Sequence, residues 1–162
     1  MKRKGALLGT GKMNDISETE RRIQRRIAAA RVKHMSNAKW RKLFAVLHSL
    51  PEPLAEVGIK FINNDNLFTG PTPGPDFDYD DHFGECGGIS YAPFTDIEFV
   101  QIPITYHREV HGPRYPSTEF TNDVQSLFKR LAQVGSFPIQ QYDGGIRILG
   151  YEWSGDREAE LG

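Results

Sequence analysis

The sequence predicts an α+β fold: an antiparallel sheet of about five strands with two helices packed on one face, plus a basic helical extension at the N-terminus. Three observations carry that prediction. Apolar residues recur near the helical period in two separate stretches, Trp40 to Leu50 and Val124 to Val134. Short runs of alternating apolar and polar residues lie between and after them, as half-buried strands require. Tyr142-Asp143-Gly144-Gly145 separates two such runs and is the strongest hairpin signal in the chain.

Size and composition set the bounds. The chain has 162 residues, 38% of them hydrophobic and 11% aromatic, which suits one domain with an appendage. The expected division is a basic extension over 1–34, an α+β body over 35–153 and an acidic tail over 154–162. Cys86 is the single cysteine and makes no intrachain disulfide. The N-terminus lacks the apolar run of roughly 7 to 15 residues of a secretory signal, so a reducing, cytoplasmic home is expected. No window approaches the ~18 apolar residues of a membrane span, and no membrane partner is expected.

Charge is more informative than its total of −1. Residues 1–42 hold 13 Lys+Arg against 3 Asp+Glu, a balance of +10, and residues 43–162 hold the remaining 7 and 18, a balance of −11. Such asymmetry points to an oppositely charged partner or to self-docking of the basic end on the body.

In chain order, Met1 to Lys12 reads as a flexible basic leader with three glycines. Ser17-Glu18-Thr19-Glu20 forms a capping box and starts a helix through Lys33, whose thin apolar stripe of Ile16, Ile23, Ile27 and Ala30 runs between arginines. Ser36 or Asn37 caps a second helix carrying Trp40, Leu43, Phe44, Leu47 and Leu50, and Pro51 and Pro53 end it. Val57 to Ile62 is a first strand terminated by Asn63 to Asn66, and Thr69 to Pro75 is a loop.

Gly88 to Phe94 and Asp96 to Ile104 read as two further strands, the latter with Ile97, Phe99 and Gln101 opposing Glu98, Val100 and Ile102. Tyr106 to Ser117 breaks periodicity and reads as a second mobile loop. Asn122 or Thr121 caps a third helix with Val124, Leu127, Phe128, Leu131 and Val134 on one stripe, ended by a left-handed cap at Gly135. Phe137 to Gln141 and Ile146 to Tyr151 are the closing hairpin, with Pro138 placing its strand at an edge.

The stretch Asp76 to Tyr91 interleaves carboxylates with aromatics and is the richest in chemistry. Asp76, Asp78 and Asp80 occupy the first, third and fifth places of a calcium loop, but Asp81 stands where glycine is needed and Gly87 where glutamate is. His107 and His111 are four apart as in zinc proteases, yet the glutamate between them is one residue late and Gly112-Pro113 follows. Cys86 with His82 permits a thiolate pair, opposed by carboxylates that raise a thiol's pKa. Gly84, Gly87 and Gly88 lack the Lys-Ser/Thr of a phosphate loop. No metal, no cofactor and no catalytic residue follows; a metal- or cysteine-dependent hydrolase is the least favoured reading.

Asn37-Ala38-Lys39-Trp40-Arg41-Lys42-Leu43, Asp96-Ile97-Glu98-Phe99-Val100 and Ile146-Arg147-Ile148-Leu149-Gly150-Tyr151 together resemble a family of small bacterial proteins of unknown function. Members open on an Asn-x-Lys-Trp helix and close on a strand ending Gly-Tyr. The resemblance covers about residues 36–151, implies a bacterial cytosolic α+β domain, and transfers no site residues.

From the residues themselves, a non-catalytic protein-binding module is expected, of the immunity or antitoxin kind. Its acidic loop meets a basic partner such as a toxin, with Asp78, Asp80, Asp81 and Glu85 steering and Tyr79 and Phe83 anchoring. The alternative is a nucleic-acid-associated protein using Arg21, Arg22, Arg25, Arg26 and Arg31.

Overall fold

A computed structural model describes residues 17–50, 56–72, 81–83 and 92–154. The first element is helix α1 (Glu18–Ala28), where Ser17 caps by accepting from the Glu20 amide at 3.2 Å. A short strand β1 (Val32–Lys33) leads to α2 (Asn37–His48), capped by Ser36 on the Lys39 amide at 3.2 Å. Trp40, Leu43, Phe44, Val46 and Leu47 of α2 are buried; Val46 joins the expected stripe, while Leu50 lies beyond the helix end and is half-buried.

Five strands form the main sheet: β2 (Val57–Phe61), β3 (Leu67–Gly70), β4 (Ile97–Pro103), β7 (Ile139–Tyr142) and β8 (Gly145–Leu149). Their order is β3-β2-β4-β8-β7, and every neighbouring pair is antiparallel. The α+β class is therefore observed. Pro138 precedes an edge strand, where a missing amide costs no ladder bond.

Cross-strand partners share a face, so the register sorts the side chains. Ile59, Val100, Ile148 and Ile139 align in one row and Ile102 pairs with Ile146 beside it. Leu127 and Leu131 of α3 (Val124–Val134) join the same cluster with the α2 residues, so both helices cover this face. A bulge between Lys60 and Phe61 shifts the register and pairs Phe61 with Ile97. Ile97 is thereby turned into the core, fully buried, and not set beside Phe99 as simple alternation predicts.

Several expectations are corrected. Residues 63–66 follow the end of β2 as expected and turn the chain, with Asn64 Oδ1 accepting from the Asn66 amide at 3.0 Å, but Leu67–Gly70 then returns as β3 where a loop is expected from Thr69. Within the stretch read as a strand over 88–94, the described part is an isolated bridge from Pro93 to His82 and a single turn of tighter helix at Phe94–Asp96. Tyr106 to Ser117 is not a plain loop: β5 (Thr105–Arg108) pairs with β6 (Thr118–Thr121), and Tyr106 stacks on Phe120 at 5.5 Å. The glycine and prolines that break the pattern lie between these two strands.

At α3 the cap is Asp123, which accepts from the Ser126 amide at 3.0 Å, and not Asn122 or Thr121. Gly135 has φ 170, extended rather than left-handed, and still returns its amide to Leu131 O. Phe128 is 43% exposed although its spacing matches the core stripe.

Among the described residues Asn122 is the buried polar one. Its Nδ2 donates to Pro103 O at 2.8 Å and Glu56 O at 3.3 Å, while its amide donates to Ile104 O at 2.7 Å. It thus ties the hairpin base to two other segments. Asn122→Ala leaves both carbonyls short of a donor and is expected to lower unfolding free energy by about 2 kcal/mol, measured by urea denaturation.

The boundary expected at residue 35 is crossed by backbone bonds. Val32 and Lys33 pair with Glu152 and Tyr151 of β9 (Tyr151–Glu152), Arg31 N donates to Glu152 O at 2.8 Å, and His34 N donates to Gly150 O at 2.9 Å.

Candidate functional site

The basic helix is clamped to the body by its apolar stripe and one tryptophan. Ile23 is buried and Ile27 half-buried. Trp153 Nε1 donates to Arg26 O at 2.8 Å, and the Arg26 guanidinium lies 3.8 Å from the Trp153 ring centroid. His34 Nε2 meets Glu152 Oε2 at 2.7 Å and adds a side-chain tie across the β1–β9 pair. Self-docking, one of the two expectations from the charge asymmetry, is thus seen for residues 17–34.

Docking divides the arginines. At roughly 100° per residue, Arg21 and Arg25 fall on the side of α1 opposite Ile23 and Arg22 on its flank, and all three are exposed. Arg25 is held by Glu18 at 3.0 Å in an exposed pair. Arg26 turns onto Trp153, and Arg31, exposed, follows the helix where its amide joins the β9 backbone. Over residues 17–42 there are 9 Lys+Arg against 2 Asp+Glu, so the docked region keeps a balance of +7.

The acidic stretch is described only at residues 81–83. Asp78, Tyr79, Asp80 and Glu85 lie outside the described residues, as do Asp76, Cys86 and the glycines after it. Asp81 is exposed, with Oδ1 2.6 Å from His82 Nδ1. Phe83 is corrected outright: it is 4% exposed and packs edge-on against Phe44 at 4.9 Å and Phe94 at 5.0 Å. Its ring holds the segment to α2 and offers a partner nothing. The backbone agrees, since Phe83 N donates to Ala92 O and Phe94 N to Asp81 O.

The outer face of the sheet assembles residues that neither sequence motif nor charge count singles out. The register places Lys60, Phe99 and Leu149 in one row and Gly58, Gln101, Arg147 and Gln140 in the next. The Arg147 guanidinium lies 4.7 Å from the Phe99 ring and 4.8 Å from the Tyr142 ring, and its Nε donates to Gln101 Oε1 at 3.0 Å. Burial raises the Tyr142 phenol's pKa against the opposing pull of Arg147. Lys60 Nζ reaches Glu98 Oε2 at 2.9 Å beside them. The legible signal was Arg147 alone among apolar neighbours in Ile146 to Leu149.

An open cavity of about 520 Å³ lies between β1 and the start of α2, with Lys33, His34, Ser36, Lys39 and Thr95 in its lining. Next to Thr95, burial and the nearby Glu20 carboxylate raise the Asp96 pKa. Tyr151, whose hydroxyl donates to Thr95 O at 2.7 Å, is likewise raised by burial and by Asp96. A raised carboxyl stabilises the fold fully below the unfolded value of 3.8 and loses that contribution as pH rises through the folded value. Asp96→Asn is accordingly expected to raise the thermal midpoint at pH 7 and leave it unchanged at pH 3, by calorimetry at both.

Among the described residues no group of three or more His, Cys, Asp or Glu is placed to hold a metal ion. His107 sits on β5 with Nε2 3.4 Å from Glu119, and His111 lies beyond that strand against Tyr115. No helix among these residues is long and apolar enough to cross a membrane.

A profile described as a family of unknown function, DUF6678, matches residues 23–155. The chain belongs to that family. The DUF6678 match begins at Ile23, the buried residue of α1, rather than at residue 36 as the resemblance implied, and so takes in the clamp to Trp153. No curated protein and no solved structure matches the chain.

Proposed function

We propose that this DUF6678 chain is a nucleic-acid-associated binding protein that takes a phosphate backbone on the outward side of α1. The supporting observation is the clamp itself. With Ile23 buried and Arg26 on Trp153, Arg21, Arg22 and Arg25 are presented from a helix that is already ordered. Binding then need not bear the entropy of folding a short arm that would be marginal alone in water. A bacterial cytoplasm remains the proposed setting, in keeping with a single cysteine in 162 residues.

The test is fluorescence anisotropy with labelled DNA and RNA over a salt series. Non-specific binding is expected near 10⁻⁴ to 10⁻⁶ M, roughly, at physiological salt. Replacing Arg21, Arg22 and Arg25 together by Gln is expected to reduce the slope of log K against log salt by about 2 to 3, the loss of three phosphate contacts at roughly 0.7 to 0.9 each. An unchanged slope, or wild-type protein that binds neither polymer, overturns the reading.

The acidic-loop reading keeps one described contact group, Asp81, whose side chain is 69% exposed. It calls for a basic protein partner, such as the toxin of an immunity pair. Neutralising Asp78, Asp80, Asp81 and Glu85 would slow association with that partner at low salt, and the arginine substitutions would not.

A further inference from the structure

We infer that the outer face of the sheet is a stacking platform for the unpaired bases of a single-stranded nucleic acid, centred on Phe99, Arg147 and Tyr142. This rests on α1 as the phosphate-binding element and adds where bases are held and which form of nucleic acid is preferred.

The geometry supports it in three steps. Both helices that pack on the sheet, α2 and α3, bury their stripes against the opposite face, so neither covers this one. Three adjacent strands then contribute one planar group each, with the guanidinium of β8 between an aromatic ring of β4 and one of β7 at nearly equal distances. The Gln101 bond fixes the orientation of that guanidinium. Flat π surfaces and a planar cation are what a base's face stacks on, and such stacking tolerates any sequence because every base has a π-face.

Charge selects the occupant. Glu98 is the one carboxylate from the sheet strands that reaches this face, and Lys60 neutralises it at 2.9 Å. Among the charged residues of these strands Arg147 is left as the excess cation, which favours a polyanion over a basic protein at the platform itself. Bases of a duplex are hidden in their own stack, so a platform on a sheet surface takes bases only from an unpaired strand.

The experiment uses the full chain, a labelled oligothymidylate of about 16 nucleotides and a duplex of equal length. Two variants probe the platform: Tyr142→Leu removes a ring, and Arg147→Lys keeps the charge but loses the plane. Each is expected to weaken oligothymidylate binding about ten-fold, with the salt slope and the duplex affinity unaltered. The α1 arginine variant should instead change the slope for both polymers.

Equal losses on strand and duplex, or no loss on either, overturn the platform. Wild-type protein that prefers the duplex overturns it too while leaving the α1 reading intact, and a failed arginine variant overturns the α1 reading separately. Displacement by poly-glutamate with no displacement by the oligonucleotide would assign the face to an acidic protein and also overturn it. Should either variant unfold, photocrosslinking of a 4-thiothymidine oligonucleotide to the wild-type chain decides. Crosslinks in the peptides carrying Phe99 or Tyr142 support the platform, and crosslinks confined to other peptides refute it.

Discussion

Leu127→Asp is expected to give a chain without a cooperative thermal transition. Leu127 and Leu131 are both 0% exposed and lie in one cluster with Leu43, Leu47, Val100 and Ile102. Removing the leucine forfeits burial of roughly 1.5 to 3 kcal/mol and opens a cavity beside it. An aspartate there also enters a core whose other members are apolar, and an isolated buried carboxylate is either ionised at great cost or forced to bind a proton. Those costs together reach the whole stability of a typical domain, about 5 to 15 kcal/mol. Circular dichroism melts and proton NMR dispersion check it, with the volume-conserving Leu127→Met expected to cost under about 1.5 kcal/mol. A sigmoidal melt in Leu127→Asp would overturn the docking of α3 on the sheet.

Gly150→Ala is the second. Gly150 joins β8 to β9, donates its amide to Glu98 O at 2.8 Å and accepts from His34 N at 2.9 Å. A Cβ built there would sit 2.3 Å from Ile97 O, 3.0 Å from Glu98 O and 3.1 Å from the Trp40 ring. Backbone oxygens cannot swing aside as a long side chain can, so β8 must move off β4 and take the β1 pairing with it. A loss of about 3 kcal/mol is expected, with a fall of about 10 °C in thermal midpoint. Gly135→Ala is the contrasting case, since its backbone is extended and a Cβ there meets nothing closer than 4.0 Å. Equal loss at both positions would mean that the close approach at Gly150 is not what limits that site.

Gly150 also brings two stretches that are distant in the sequence into contact. Trp40 stands in the Asn-x-Lys-Trp helix and Gly150 in the closing Gly-Tyr, and the ring of one packs where the other lacks a side chain. A residue count along the chain cannot show that contact. It needs the sheet to be closed first.

The elements that were legible share a feature: their evidence is local. The capping by Ser17 and Ser36, the α2 and α3 stripes, and the Asp143-Gly144 turn each depend on residues within one turn of helix or one hairpin. Misread elements lacked such a local signal and depended on pairing or packing with another segment. Leu67–Gly70 is too short and too exposed to announce itself as a strand and exists because β2 offers an edge. The β5–β6 hairpin draws on a Tyr106–Phe120 stack across an intervening stretch of glycine and prolines. Phe83 shows the same limit within the candidate site: an aromatic beside carboxylates looks like an anchor until Phe44 and Phe94 are brought against it.

By itself the sequence determined the α+β class, both core helices, the closing hairpin with its edge strand, and the opposite charge of the two parts, because periodicity, caps, turn chemistry and charge are properties of neighbouring residues. Tertiary structure alone decided that the basic helix is clamped by Trp153, that Phe83 belongs to the core, and that Phe99, Arg147 and Tyr142 meet on one face. Those facts come from register and packing between segments up to 127 residues apart, and the energy that selects one register over another exists only when the core is closed.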